Sequence, residues 1–214
     1  MSKKYGRSFH LPFSPGTTSD DRIAKSVDSL LNQQVVITEK LDGENAGMTR
    51  DGVYARSHAT FTTSGWSKEV RRMHDFLKHD IAEEMTIFGE NMEGIHSIEY
   101  ENLTSYLYVF GIREGERWYS WQETEDYAFL MNLPTVPVLF KGILSSASEL
   151  EEKVLDLVAQ PSALGGKREG IVIRLARSFT VEEFPQSLMK WVRKGHVQSD
   201  AHWTRTWKKA LLKY

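Results

Sequence analysis

Short apolar runs punctuated by glycine turns constrain this chain more than any other feature. Residues 47–50 and 53–56 flank Asp51-Gly52, and an aspartate–glycine pair between two strand-like runs is a strong local signal for a β-hairpin. Residues 34–39 are rich in β-branched side chains, and residues 85–90, 105–112, 170–175 and 188–193 read as further strands. Helical periodicity is confined to a few places. Trp66, Val70, Met73 and Leu77 recur at helical spacing, as do Leu150, Val154, Leu157 and Val158. Ser120 and Glu123 have capping-box spacing ahead of a helix through Phe129. Ser19 as an N-cap, Asp20 and Asp21 at the positive end of a helix dipole, and Ile23, Val27, Leu30 and Leu31 on one face predict a helix there. Trp203, Trp207 and Leu211 predict a closing helix, and Pro134 and Pro137 bracket a short extended piece. Strands outnumber helices and hairpin connections dominate, so the expected class is α+β with a largely antiparallel sheet.

Composition narrows the function. Hydrophobic residues at 40% and charged residues at 26% of 214 positions exclude wholesale disorder. No apolar run approaches the roughly 18 residues of a membrane span. Met1-Ser2-Lys3-Lys4 leads into polar residues, which argues against a secretory signal. There is no cysteine, which excludes disulfides, zinc–thiolate sites and cysteine nucleophiles and fits a reducing cytoplasm. With a net charge of -2, a nucleic-acid partner would have to be held by a local basic patch.

The segment Thr38-Glu39-Lys40-Leu41-Asp42-Gly43-Glu44-Asn45 carries the strongest chemical signal. A lysine leaves a strand and meets a tight turn that Gly43 makes possible, with acidic groups at Glu39, Asp42 and Glu44. A strand end with solvated charges explains the tetrapeptide alone equally well. The rest of the chain adds Phe88-Gly89-Glu90, an aromatic strand at Tyr108-Val109-Phe110, Glu169-Gly170 opening a strand, and a second lysine, Lys190, in Met189-Lys190-Trp191-Val192-Arg193-Lys194. The order is lysine, carboxylate, aromatic, carboxylate, lysine.

That ordered set resembles the covalent nucleotidyltransferases, the polynucleotide ligases and mRNA capping enzymes, across roughly residues 35–195. Lys40 matches the motif I nucleophile, Ala55-Arg56-Ser57 motif Ia, Phe88-Gly89-Glu90 motif III, Phe110 the motif IIIa aromatic, Glu169-Gly170 motif IV and Lys190 motif V. Asn45 stands where DNA ligases and capping enzymes usually carry arginine, and nick-sealing RNA ligases tend to have asparagine there. His10-Leu11-Pro12-Phe13-Ser14-Pro15-Gly16, Tyr54-Ala55-Arg56-Ser57 and the segment from His196 to Trp203 also look like a bacterial and phage RNA-ligase family.

The resemblance implies a nucleotidyltransferase (adenylation) domain of the ATP-grasp-like, DNA-ligase type, with mostly antiparallel sheets flanked by helices and no OB-fold domain. One domain over 1–214 is expected: an arm and helix over 1–33, the motifs over 34–194, and a basic, aromatic tail over 195–214. The implied activity is ATP-dependent RNA joining through a lysyl–AMP on Lys40, in the cytoplasm of a bacterium or a phage-infected cell. A DNA ligase, a GTP-using capping enzyme and a non-catalytic nucleic-acid-binding module are the alternatives.

Lysine's free pKa is about 10.4, so its amine must be made neutral before it can attack an α-phosphate. Nearby positive charge lowers that pKa and carboxylates alone raise it, so the acidic cluster makes sense with a metal present. Glu90 and Glu169 are hard oxygen ligands suited to Mg2+, directly or through its waters, with Mn2+ as a substitute; as ATP/AMP-binding residues they could instead bind ribose hydroxyls or orient Lys40. By resemblance, Glu39 and Leu41 lie at the base, Asn45 at ribose or phosphate, Arg56 near the 5′-phosphate, Phe110 stacked on adenine and Lys190 on the α-phosphate. Plain core packing is the competing account of Phe110, and a solvated strand position that of Glu39. Motif V departs from its usual Lys-x-Lys form. Lys194 could complete it, because positions 190, 192 and 194 share a face if the strand continues. Gly111 stands where many relatives are acidic.

Arg193, Lys194, Arg205, Lys208 and Lys209, interleaved with tryptophans, are candidate phosphate contacts. Trp203 and Trp207 themselves read better as a core stripe. The expected partners are RNA ends, at a nicked duplex or a broken strand, with a separate end-processing or substrate-binding protein as a further possibility. No membrane is expected.

Overall fold

The computed structural model describes residues 4–56, 60–195 and 207–213. Among the described residues, eleven strands form two sheets. β1 (Phe9–His10), β2 (Gln34–Lys40), β8 (Val138–Ile143), β9 (Gly170–Leu175) and β11 (Leu188–Val192) make a five-stranded sheet in the order β1-β11-β9-β2-β8. β3 (Glu44–Thr49), β4 (Gly52–Ala55), β5 (Met85–Asn91), β6 (Leu107–Glu114), β7 (Arg117–Trp118) and β10 (Phe179–Thr180) make a six-stranded sheet in the order β10-β7-β6-β5-β3-β4. All pairings between strands are antiparallel except β1 with β11.

Four helices accompany the sheets: α1 (Lys68–Leu77), α2 (Trp121–Leu130), α3 (Ala147–Ala159) and the single turn α4 (Phe184–Ser187). Ser120 and Glu123 form the expected capping box at the start of α2. In α3, Leu150, Val154 and Leu157 fall on one face and join Val35, Ile37, Ile171 and Ile173 of the five-stranded sheet in one core. Val70 of α1 and Ala128 of α2 join Met48, Ile87 and Val109 of the six-stranded sheet in a second.

Four local points differ from the sequence reading, three as corrections and one as a strand it did not anticipate. First, no α-helix forms over 19–31. Only a 3₁₀ turn appears, at Asp28–Leu30, and Ile23 is 52% exposed. The backbone of this stretch pairs with the arm instead: His10 N–H donates to Arg22 O at 2.7 Å and Ala24 N–H to His10 O at 2.8 Å. Second, residues 207–213 are not helical. They lie along the body, with Lys209 bridged to Gly94, Ala210 N–H donating to Glu93 O and Lys213 N–H to Leu103 O. Trp203 and Arg205 lie outside the described residues.

Third, the short piece between Pro134 and Pro137 precedes a full strand, β8, at the edge of its sheet. Its mixed exposure leaves no alternating pattern to read, and a proline beside an edge strand blocks no ladder bond. Fourth, the hairpin loop is Arg50-Asp51, since Thr49 pairs with Gly52. Gly52 opens β4 with an ordinary φ, and the ring of Phe61 fills the space a Cβ would need, 2.6 Å away.

Candidate active site

The chain crosses from one sheet to the other through Leu41-Asp42-Gly43, between the end of β2 and the start of β3. The crossing is tight. A Cβ on Gly43 would lie 2.5 Å from Asn91 O and 3.0 Å from Glu90 Cγ, so glycine is required here for close approach, not for a left-handed φ. Asp42 braces the crossing: its Oδ2 accepts from Ser97 N–H at 2.9 Å and Ser97 Oγ–H at 2.7 Å, while its own N–H donates to the Tyr100 hydroxyl at 2.9 Å. Leu41 is buried with Met92 and Tyr100, so its side chain is a core anchor.

Lys40 ends β2 opposite Gly170 of β9, which brings Glu169 alongside. Lys40 Nζ lies 2.5 Å from Glu169 Oε1. From the other sheet, Glu90 on β5 accepts from Gly43 N–H at 3.2 Å. Burial alone would lower the Lys40 pKa, but Glu169, Glu90 and Asp42 outweigh it and raise the amine above its ordinary value. Burial, with Glu169 and Asp42 nearby, pushes Glu90 up to about 8 even though Lys40 pulls the other way. Two carboxylates and one ammonium thus share a desolvated place. Beside them Asn45, in register with Glu90, has a buried Oδ1 with no hydrogen-bond partner in the protein. A buried orphan acceptor is a site for something else to donate to.

Lys190 on β11 belongs to the same group. Burial and the charges of Lys40 and Arg56 lower its pKa, against Asp21 and Glu169. Arg56 itself is exposed just beyond β4. Phe110 on β6 is half-buried and bridges two core clusters, with the Tyr5 ring 5.1 Å away at 77°. The strand carrying Lys190 ends at Val192, and Lys194 lies exposed beyond it.

Other candidates are placed elsewhere. The Glu39 side chain is buried apart from Lys40, where it accepts from Ala163 N–H at 2.9 Å and lies 3.5 Å from Arg168. Glu44 accepts from Trp66 Nε1–H at 3.1 Å, while Asp42 is among the carboxylates that raise the Lys40 pKa. Arg193, Lys167 and Arg168 line an open cleft of about 370 Å³ at the C-terminal end of α3. Lys209 is not a free phosphate contact. It lies 2.8 Å from Glu69, 3.7 Å from Glu93 and 5.0 Å over the Tyr106 ring. Lys208 remains exposed. Sequence reasoning missed Asp21 and His10, which meet Lys190 from the N-terminal segment.

The RNA ligase family model matches residues 33–192. The chain belongs to the RNA ligase family. Its fold is shared by solved ligases of low identity. An RNA ligase of Naegleria gruberi solved with ATP and Mn superposes with a TM-score of 0.53 at 20% identity, over 78% of this chain and 52% of that one. An archaeal ATP-dependent RNA ligase gives 0.56 at 15%, over 79% and 45%. A putative ATP-dependent DNA ligase from Aquifex aeolicus gives 0.55 at 20%, over 78% and 46%. The chain therefore spans about half the length of these ligases. A search of curated proteins found no match. Among the described residues of this family member, no helix is long and apolar enough to cross a membrane.

A divalent cation is implied by the family, and the donor set can be tested against it. No group of three or more acidic or histidine side chains among the described residues could cage a metal. Two carboxylates, Glu90 and Glu169, suit Mg2+, which usually takes one or two protein carboxylates and completes its shell with water and phosphate.

Proposed function

We propose that this chain is an ATP-dependent RNA ligase that works through a covalent lysyl–AMP on Lys40. The observation that carries the reading is the convergence of Lys40, Glu169, Glu90 and Lys190 from four separate stretches of chain onto one place. The neutral Lys40 amine attacks the α-phosphorus of ATP; an N–P bond forms, the bond to pyrophosphate breaks, and the amine proton leaves. Glu169, 2.5 Å from Nζ, is placed to hold that proton or orient the amine. Lys190 supplies charge to the α-phosphate oxygens. Glu90 and Glu169 would hold the cation, which when bound supplies positive charge that lowers the lysine pKa and offsets phosphate charge.

In the second step an RNA 5′-phosphate oxygen takes AMP from Lys40, and the lysine recovers its free amine. In the third, a 3′-hydroxyl displaces AMP and the strand is closed. Asn45 would contact ribose or phosphate, Phe110 would stack on adenine, and Arg56 would meet the 5′-phosphate. RNA repair at a nick or a broken strand is the setting we infer, with a separate end-processing or substrate-binding protein as an additional partner.

The test is a panel of end-labelled nicked and single-stranded RNA and DNA substrates incubated with ATP and Mg2+. Sealing of RNA, with the adenylylated 5′ end building up when the 3′-hydroxyl is blocked, is expected for the wild type. Sealing that proceeds equally well in Lys40→Ala would overturn the assignment. Transfer of label from GTP in preference to ATP would indicate a capping enzyme.

A further inference from the structure

The segment before residue 33 lies outside the family match, yet it is stitched onto the strand that carries Lys190. β1 runs parallel to β11 with His10 paired to Lys190. Leu11 N–H donates to Lys190 O at 2.8 Å, Gly16 N–H to Val192 O at 2.9 Å, and Val192 N–H to Ser14 Oγ at 3.0 Å. A Cβ on Gly16 would lie 2.3 Å from Arg193 O, so the arm presses directly on that strand.

The arm returns with Asp21, whose two oxygens are divided. Oδ2 accepts from Thr18 N–H at 3.0 Å and from Thr18 Oγ1–H at 2.9 Å. Oδ1 faces His10 Nε2 at 3.3 Å and Lys190 Nζ at 3.7 Å. His10 is 1% exposed, and its Nδ1 lies 3.0 Å from Ser14 Oγ. A neutral imidazole lets Ser14 donate to Nδ1, while Nε2, which makes no hydrogen bond within the protein, stays beside Asp21 Oδ1. The carboxylate is thereby held by Thr18 on Oδ2 and flanked by His10 on Oδ1, the oxygen that also lies 3.7 Å from Lys190 Nζ.

We propose that Asp21, held by Thr18 and flanked by the His10–Ser14 pair, is a positioning residue that aims the Lys190 ammonium into the nucleotide site. The groups facing Lys190 explain the need. Lys40 and Arg56 repel its charge, burial disfavours it, and Asp21 and Glu169 are the carboxylates that favour it. Glu169 is engaged with Lys40, so Asp21 is the carboxylate available to hold Lys190 in one orientation. This role rests on the reading of Lys190 as an α-phosphate contact.

The experiment is a double-mutant cycle between Asp21→Asn and Lys190→Ala, with protein–AMP formation from labelled ATP followed in single turnovers. Asparagine keeps the size of the side chain and removes its charge. Asp21→Asn should slow the reaction at saturating ATP about tenfold with little change in the ATP concentration at half-saturation. In the Lys190→Ala background the same change should cost less than about twofold. Losses that multiply, or an Asp21→Asn rate equal to wild type, would overturn the proposal.

A second measurement stands apart from the ligase reading. Native wild type and Asp21→Asn are treated briefly with an acetylating N-hydroxysuccinimide ester, and modification is located by mass spectrometry. Lys190 should react about threefold faster in the variant relative to the exposed Lys167, because loss of the carboxylate frees the amine and favours its neutral form. An unchanged ratio would show that Asp21 does not hold Lys190. If the wild type forms no AMP adduct while this ratio shifts, the ligase reading fails and the positioning contact survives.

Discussion

Lys40 is held in the protonation state least suited to attack. Its carboxylate neighbours raise the amine pKa, so on the proposed mechanism added positive charge would have to offset them before the lysine could attack. Glu90 carries the complementary consequence. Its pKa rises from 4.5 to about 8, so between those values the folded state binds a proton that the unfolded state has released. Stability from this group therefore falls as pH climbs through that window. Thermal melts without divalent cation should show Glu90→Gln losing less stability than wild type between pH 5 and 9; parallel curves would show that Glu90 is not the titrating group. In activity, Glu90→Ala or Glu169→Ala should each cost at least about two orders of magnitude in protein–AMP formation. Asp80→Ala, at an exposed turn, should cost little. Equal losses at all three positions would mark the effect as structural.

At the scale of elements, strands announced by their own side chains were legible and those defined by partners were not. β2, β5, β6, β9 and β11 follow their apolar runs, and α2 follows its capping box, because each carries its signal locally. The helix expected at 19–31 failed because tertiary pairing with the arm uses the same backbone, and propensity is the weaker influence. β8 sits at an edge, where exposure on both faces erases the alternation. The site divides the same way. Lys40, Glu90, Glu169 and Lys190 were readable from motif order, whereas the contact of Asp21 with Lys190 depends on a fold-back that no local pattern records. Two element-level outcomes follow. Gly43→Ala should leave the sheets intact and sharply reduce protein–AMP formation, because the added methyl presses on Asn91 and Glu90; near-wild-type rates would show that the crossing is not tight. Lys209→Met should lower the melting temperature by a few degrees, on the order of 1 kcal/mol, as Glu69 and Glu93 lose their cation. RNA binding should be less affected by that change than by Lys208→Ala.

The described residues form a two-sheet body, and the proposed nucleophile Lys40 lies where the chain passes between the sheets. An N-terminal strap runs along β11, and the 207–213 segment is laid over the Glu93–Leu103 region. The exposed cations Arg56, Lys194 and Lys208 are available to phosphates, while Lys209 is engaged within the protein. Each phosphate contact made releases counterions, so end-joining should fall with salt by a slope that counts those contacts, while protein–AMP formation changes little. Comparing both activities between low and physiological salt checks this, and a shared dependence would place the salt effect in the first step. All of these expectations depend on one bond. The most direct measurement is the intact mass of the protein after incubation with ATP and Mg2+, followed by peptide mapping. The account predicts one added AMP, acid-labile and located on Lys40, and none in Lys40→Ala; an adduct on another residue, or no adduct in a folded wild-type protein, would contradict it.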